Sequence, residues 1–160
     1  MVLRTQVENI YLNLIKMVNL NNINRDDIAS LRPDIQKQWI MENYIMFNAL
    51  YFNNELPDID EIKFTAIKRS NVKFLGIAYN SYPYEIKLNF RYHLVEIEWQ
   101  NVVLHEMVHI WQYINGYNGG HGRTFKKKAK EINKYGWDIT TYYKNILEDI
   151  DEYDEYRVNS

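Results

Sequence analysis

The chain has 160 residues, 46% of them hydrophobic and 25% charged, with a formal net charge of -2 and no cysteine. That length and balance fit one soluble globular domain, and the lack of cysteine excludes disulfides, cysteine-ligated zinc ribbons and thiol catalysis. The near-neutral charge exerts no general pull toward nucleic acid or anionic membrane.

Residues 3 to 19 place Leu3, Val7, Ile10, Leu14, Met17 and Val18 at helical spacing, which predicts an amphipathic first helix. This N-terminal stretch has no uninterrupted apolar core and no small-residue cleavage site, so no signal peptide is expected. No run of 18 apolar residues occurs anywhere, so no transmembrane span is expected. A cytoplasmic, intracellular location is the resulting expectation. Pro33 suits the first position of a second helix, where its missing N–H costs nothing. Trp39, Ile40, Tyr44, Phe47, Leu50 and Tyr51 form that helix's apolar stripe, and Asn53, Asn54 and Pro57 stop it.

The pattern then changes period. Residues 61–68 (EIKFTAIK) alternate like a half-buried strand. Residues 72–80 (VKFLGIAYN) read as a second strand, with Gly76 marking a bulge or a close approach. After the turn SYPY, residues 85–90 (EIKLNF) alternate again. The short links favour antiparallel pairing of all three strands.

A strongly apolar helix is expected over roughly 94–115, and it carries His105-Glu106-Met107-Val108-His109. Side chains four apart on a helix differ by about 40° around the axis and about 6 Å along it. His105 and His109 can therefore meet on one Zn²⁺. Glu106, rotated by about 100°, can act on a water at the metal without being a ligand. Two histidines and a glutamate among Val102, Val103, Leu104, Met107, Val108, Ile110 and Trp111 need a compensating partner, because buried polar groups without one are costly. A metal would provide it. Three protein ligands and one open position make a catalytic site rather than a closed structural one. Two third ligands are open at this point: His121, in the loop GYNGGHG (116–122), and Glu131, on a further helix expected over 123–136 and closed by Gly136. The metzincin spacing is excluded, because Gln112 and Asn115 stand where it requires glycine and histidine.

Gly119, Gly120 and Gly122 are expected to give the loop the backbone freedom that turns His121 inward. His93 reads as a capping or packing residue. Gln112 could bond locally near the site. Tyr79, Tyr82 and Tyr117 could each stabilise an oxyanion, and the sequence does not choose among them. Arg123 and lysines 126, 127, 128, 130 and 134 concentrate positive charge on the last clear helix, which could contact DNA phosphates or be a solvated face. Residues 138–150 are weakly helical. Six acids and one arginine lie between Glu148 and Arg157. One domain over 1–150 with an acidic tail over 151–160 is expected.

Residues 40 to 135 resemble the SprT-like metalloprotease family, which includes the Spartan DNA–protein crosslink proteases. The matching pieces are YFNNELP, FLGIAYN, EIKLNF, VVLHEMVHIWQ and HGRTF, in that order. The resemblance implies an α+β, minimal zincin-like fold with a small antiparallel sheet of about three strands and the HExxH on a central helix. It implies Zn²⁺ held by His105, His109 and His121, with Glu106 as the catalytic base. The implied activity is peptide hydrolysis on protein or peptide substrates, including DNA-associated ones. A non-proteolytic zinc-binding module and a zinc hydrolase of small amides or cell-wall peptides are the competing readings.

Overall fold

The computed structural model describes residues 20–141. The helix expected over 3–19, the acidic tail and most of the segment 138–150 lie outside them. Three helices flank one three-stranded sheet, an α+β arrangement: α1 (Pro33–Tyr51), β1 (Ile62–Ile67), β2 (Gly76–Tyr79), β3 (Tyr84–Asn89), α2 (Glu96–Ile114) and α3 (Arg123–Asn133). Among the described residues no helix is long and apolar enough to cross a membrane.

Pro33 opens α1 as its sequence position predicts, and Trp39, Ile40, Asn43, Tyr44, Phe47 and Asn48 form the buried face. The helix turns off through Asn53 and Asn54, both at positive φ (53° and 58°), a conformation asparagine tolerates better than most residues. Asn48 then accepts from the Leu56 amide at 3.2 Å, and the Tyr44 hydroxyl donates to the Pro57 carbonyl at 2.5 Å. Burial pushes that hydroxyl's pKa up, so it stays a donor.

The sheet is mixed rather than wholly antiparallel. Its order is β1-β3-β2; β2 and β3 pair antiparallel across their short turn, but β1 runs parallel to β3. The connection 68–75 does not fold β2 back beside β1. It crosses over the position that β3 later fills. Asn89, fully buried at the end of β3, holds this crossover. Its Nδ2 donates to the Arg69 and Val72 carbonyls at 3.1 and 3.0 Å, and its Oδ1 accepts from the Arg69 amide at 3.0 Å. Arg91 adds a bond to the Val72 carbonyl at 2.8 Å. Side chains thus satisfy carbonyls that a longer ladder would otherwise use, and β2 begins at Gly76 rather than at 72.

Helix α2 runs through the centre. Glu98 accepts from the Val95 amide at 3.1 Å and closes its first turn. Every residue from Val102 to Ile110 is buried, the signature of a helix covered on all sides. The start of α2 is tied to earlier parts of the chain by Glu96, whose Oε2 takes the Trp39 indole N–H at 2.8 Å and the Arg25 guanidinium at 2.6 Å.

Helix α3 ends at Asn133, earlier than its sequence suggests. The Asn133 side chain brackets Ile139, donating to its carbonyl and accepting from its amide at 3.0 and 2.8 Å. Gly136, at φ +98°, sits in the turn that follows. The chain then runs back along α1, where Trp137 donates to the Tyr51 hydroxyl at 2.6 Å. Residues 138–141 are not helical.

Removing the Asn89 amide takes this partner from the Arg69 N–H and carbonyl, while the Val72 carbonyl keeps Arg91; a buried group left unbonded costs about 1–3 kcal/mol. Asn89→Ala is expected to lower unfolding free energy by about 2–4 kcal/mol in urea titrations. A change below ~0.5 kcal/mol would mean the crossover is held by something else.

Candidate metal centre

His105 and His109 stand one turn apart on α2, and His121 comes from the loop entering α3. Their Nε2 atoms converge: 3.3 Å between His105 and His109, 3.2 Å between His109 and His121, and 3.0 Å between His105 and His121. All three rings are buried. The outer nitrogens of the first two decide their tautomers. His105 Nδ1 lies 2.8 Å from the Thr140 carbonyl oxygen, and His109 Nδ1 lies 2.8 Å from Gln112 Oε1. An oxygen of either kind accepts only, so each Nδ1 carries the hydrogen and each neutral ring turns an Nε2 lone pair inward.

The bare Nε2 lone pairs of His105 and His109 face each other at 3.3 Å, with His121 Nε2 3.0 and 3.2 Å from them, an arrangement that suits a cation at its centre. An ion that holds nitrogen at 2.0–2.1 Å in a tetrahedron spaces its ligand atoms by about 3.4 Å. The three histidines therefore fit a metal ion, and the cluster is compatible with one. Phe125 braces the set: its ring centroid lies 4.8, 4.9 and 4.8 Å from those of His105, His109 and His121.

The SprT-like family model matches residues 40–145, about two thirds of the chain. The chain belongs to the SprT-like family. No curated protein matches it. Membership points to a metalloprotease-like domain. The matched region also extends past residue 135 and takes in Thr140, whose carbonyl holds His105.

In this SprT-like domain Glu106 is fully buried on α2, against the first residue of β2. A Cβ added to Gly76 would lie 3.0 Å from Glu106 Cγ and Oε1 and from Leu88 Cδ2. Of the two readings of Gly76, close approach is the one found: the missing side chain leaves room for the carboxylate. Tyr113 extends the same contact between α2 and β2, donating from its hydroxyl to the Ala78 carbonyl at 3.3 Å.

The other candidates lie elsewhere. Glu131 pairs with Lys128 at 3.4 Å on the exposed side of α3, as its spacing among lysines predicts, and it is not part of the histidine cluster. His93 pairs with Asp27 at 2.7 Å near the surface; the Ser30 hydroxyl and His93 together hold the Asp27 carboxyl below its ordinary range. Tyr82 and Tyr117 are exposed. Gln112, read from the sequence as able to bond locally near the site, does so with His109; Phe125, Thr124 and the Thr140 carbonyl had no assigned role in the sequence. Only HGRTF, which puts an aromatic ring one turn after His121, carried a readable signal for one of them.

The glycine loop works differently from its expectation. Neither Gly119 nor Gly122 has a positive φ. Gly119 is required sterically, because a Cβ there would meet the Tyr113 ring and hydroxyl at 2.5 Å, whereas Gly122 has nothing within 4 Å. Gly119→Ala is expected to displace the His121 loop and weaken Zn²⁺ binding by about 10-fold or more in competitive titration, an effect of the size seen when groups that support a ligand are disturbed. Gly122→Ala, at the helix N-cap, is expected to cost no more than ~1 kcal/mol of stability and to leave binding unchanged. Equal behaviour of the two variants would rule out the steric role of Gly119.

Proposed function

We propose that this chain is an intracellular zinc-dependent endopeptidase, with His105, His109 and His121 as ligands and Glu106 as the general base. The supporting observation is a fully buried carboxylate next to the first histidine of a buried three-imidazole cluster. A purely structural metal site has no use for a buried acid there, which weighs against a non-proteolytic binding module.

Three neutral imidazoles leave the ion its full positive charge, and zinc so held supplies Lewis acidity toward a water and a carbonyl oxygen. Glu106 takes a proton from the attacking water at a carboxylate oxygen. It then delivers that proton to the amide nitrogen as the C–N bond breaks, so one side chain serves as base and acid. The absence of a side chain at Gly76 leaves the carboxylate its room, and Phe125 and the two Nδ1–H bonds keep the imidazoles from rotating.

A second observation bears on substrate. At 100° per residue, Arg123, Lys126, Lys127 and Lys130 on α3 and Lys134, the αR residue that caps it, share an arc of about 100°. All five are exposed, opposite the buried Phe125, Ala129 and Ile132. The one acid, Glu131, is occupied by Lys128 at the flank. Such a stripe suits phosphate contacts and supports DNA-associated proteins as the substrate class.

The test is cleavage of a basic DNA-binding protein by the zinc-loaded chain, with and without single-stranded DNA. Glu106→Gln is expected to keep zinc and to lose about 10²–10⁴ in rate. Undiminished hydrolysis by that variant would refute the role of Glu106. Cleavage that ignores DNA would leave a general peptidase, and no cleavage by zinc-bound wild type would favour the binding module. Gly76→Ala is expected to lower kcat with zinc affinity unchanged, since the atoms nearest its added methyl belong to Glu106 and Leu88.

A further inference from the structure

We propose that Gln112 is the positioning residue that assembles the three-histidine site before metal arrives, by fixing the tautomer of one ligand and the loop of another. The inference rests on the metal-binding reading above and deepens it. Gln112 lies one turn beyond His109 on α2 and is 1% exposed. Its side chain offers one acceptor and two donor hydrogens, and all of them are engaged. Oε1 accepts from His109 Nδ1 at 2.8 Å. Nε2 donates to the Gly120 carbonyl at 2.9 Å and to Thr124 Oγ1 at 3.0 Å. Gly120 immediately precedes His121, and Thr124 stands in the first turn of α3 just after it. One amide therefore grips the second histidine and both sides of the third.

The orientation of this amide is determined by its partners. Turned over, it would aim an N–H at the His109 Nδ1–H and its oxygen at the Gly120 carbonyl, replacing attractive contacts with repulsive ones. The Gly120 carbonyl thus sets the amide, and the amide sets the hydrogen on His109 Nδ1. A neutral imidazole has a single N–H, so Nε2 is left bare as a ligand. The Gln112 backbone joins in: its carbonyl accepts from the Asn115 and Tyr117 amides at 3.2 and 2.8 Å, so the same residue ends α2 and starts the loop that returns with His121.

The test separates the tautomer from the loop. Nitrogen-15 NMR of histidine-labelled, metal-free protein reads which ring nitrogen of His109 bears hydrogen. Competitive titration with Zn²⁺ reads affinity. Wild type is expected to show the Nδ1–H form of His109 without metal. Gln112→Met, close in length but with no amide, is expected to lose that preference and to bind Zn²⁺ ~10–100-fold more weakly, the range typical of partners behind a metal-bound histidine. Thr124→Val, which removes one loop bond and leaves the His109 acceptor, is expected to keep the tautomer and weaken binding less. A simple packing role would change stability without changing the tautomer. An Nε2–H form in metal-free wild type overturns the proposal without any variant, and so does a Gln112→Met protein with the wild-type tautomer and affinity. Failure of wild type to bind Zn²⁺ at all would overturn both this proposal and the metal reading, whereas zinc binding without proteolysis leaves the role of Gln112 intact.

Discussion

Two imidazoles and a carboxylate stand in the middle of a helix that is buried without a break from Val102 to Ile110, and a third imidazole reaches them from the loop before α3. Placing so much polarity in a dry interior is costly unless each group is bonded or neutralised. Much of the neighbouring structure meets that demand. The Thr140 carbonyl and the Gln112 amide take the outer nitrogens of two rings, Phe125 packs on all three, and β2 contributes a residue with no side chain beside Glu106. The apolar residues interleaved with these groups, Met107, Val108 and Ile110, hold α2 between α1, the sheet and α3.

The parts legible in the sequence are those governed by short-range periodicity. A histidine pair four apart is on one helix face wherever the helix lies, and His121, in a glycine-rich loop before a basic amphipathic helix, has few places to go but back. The boundaries of α1 and α2 were readable from Pro33, from the paired Asn53 and Asn54, and from the apolar run ahead of Asn115. Glu131 was also readable as a surface acid, because its lysine neighbours sit at helical spacing.

Features decided by distant contacts were not legible. The direction of β1 depends on Asn89, twenty residues away from the Arg69 it binds, and nothing in the alternation of residues 61–68 announces a crossover. The early end of α3 depends on Asn133 reaching Ile139, which competes with a helical pattern that otherwise runs on. Gly119 looked like a source of backbone freedom, but it is a clearance for the Tyr113 ring. Gln112 was readable as able to bond near the site, but not the loop that it grips.

The bond between His105 and the Thr140 carbonyl spans 35 residues, and this sets an order of events during synthesis. The first two histidines leave the ribosome well before the oxygen that orients the first of them. Until Thr140 has emerged and settled beneath α2, the nascent chain carries its HExxH without the acceptor that directs His105 Nε2 inward. Translation thus separates the appearance of the ligands from the completion of the pocket.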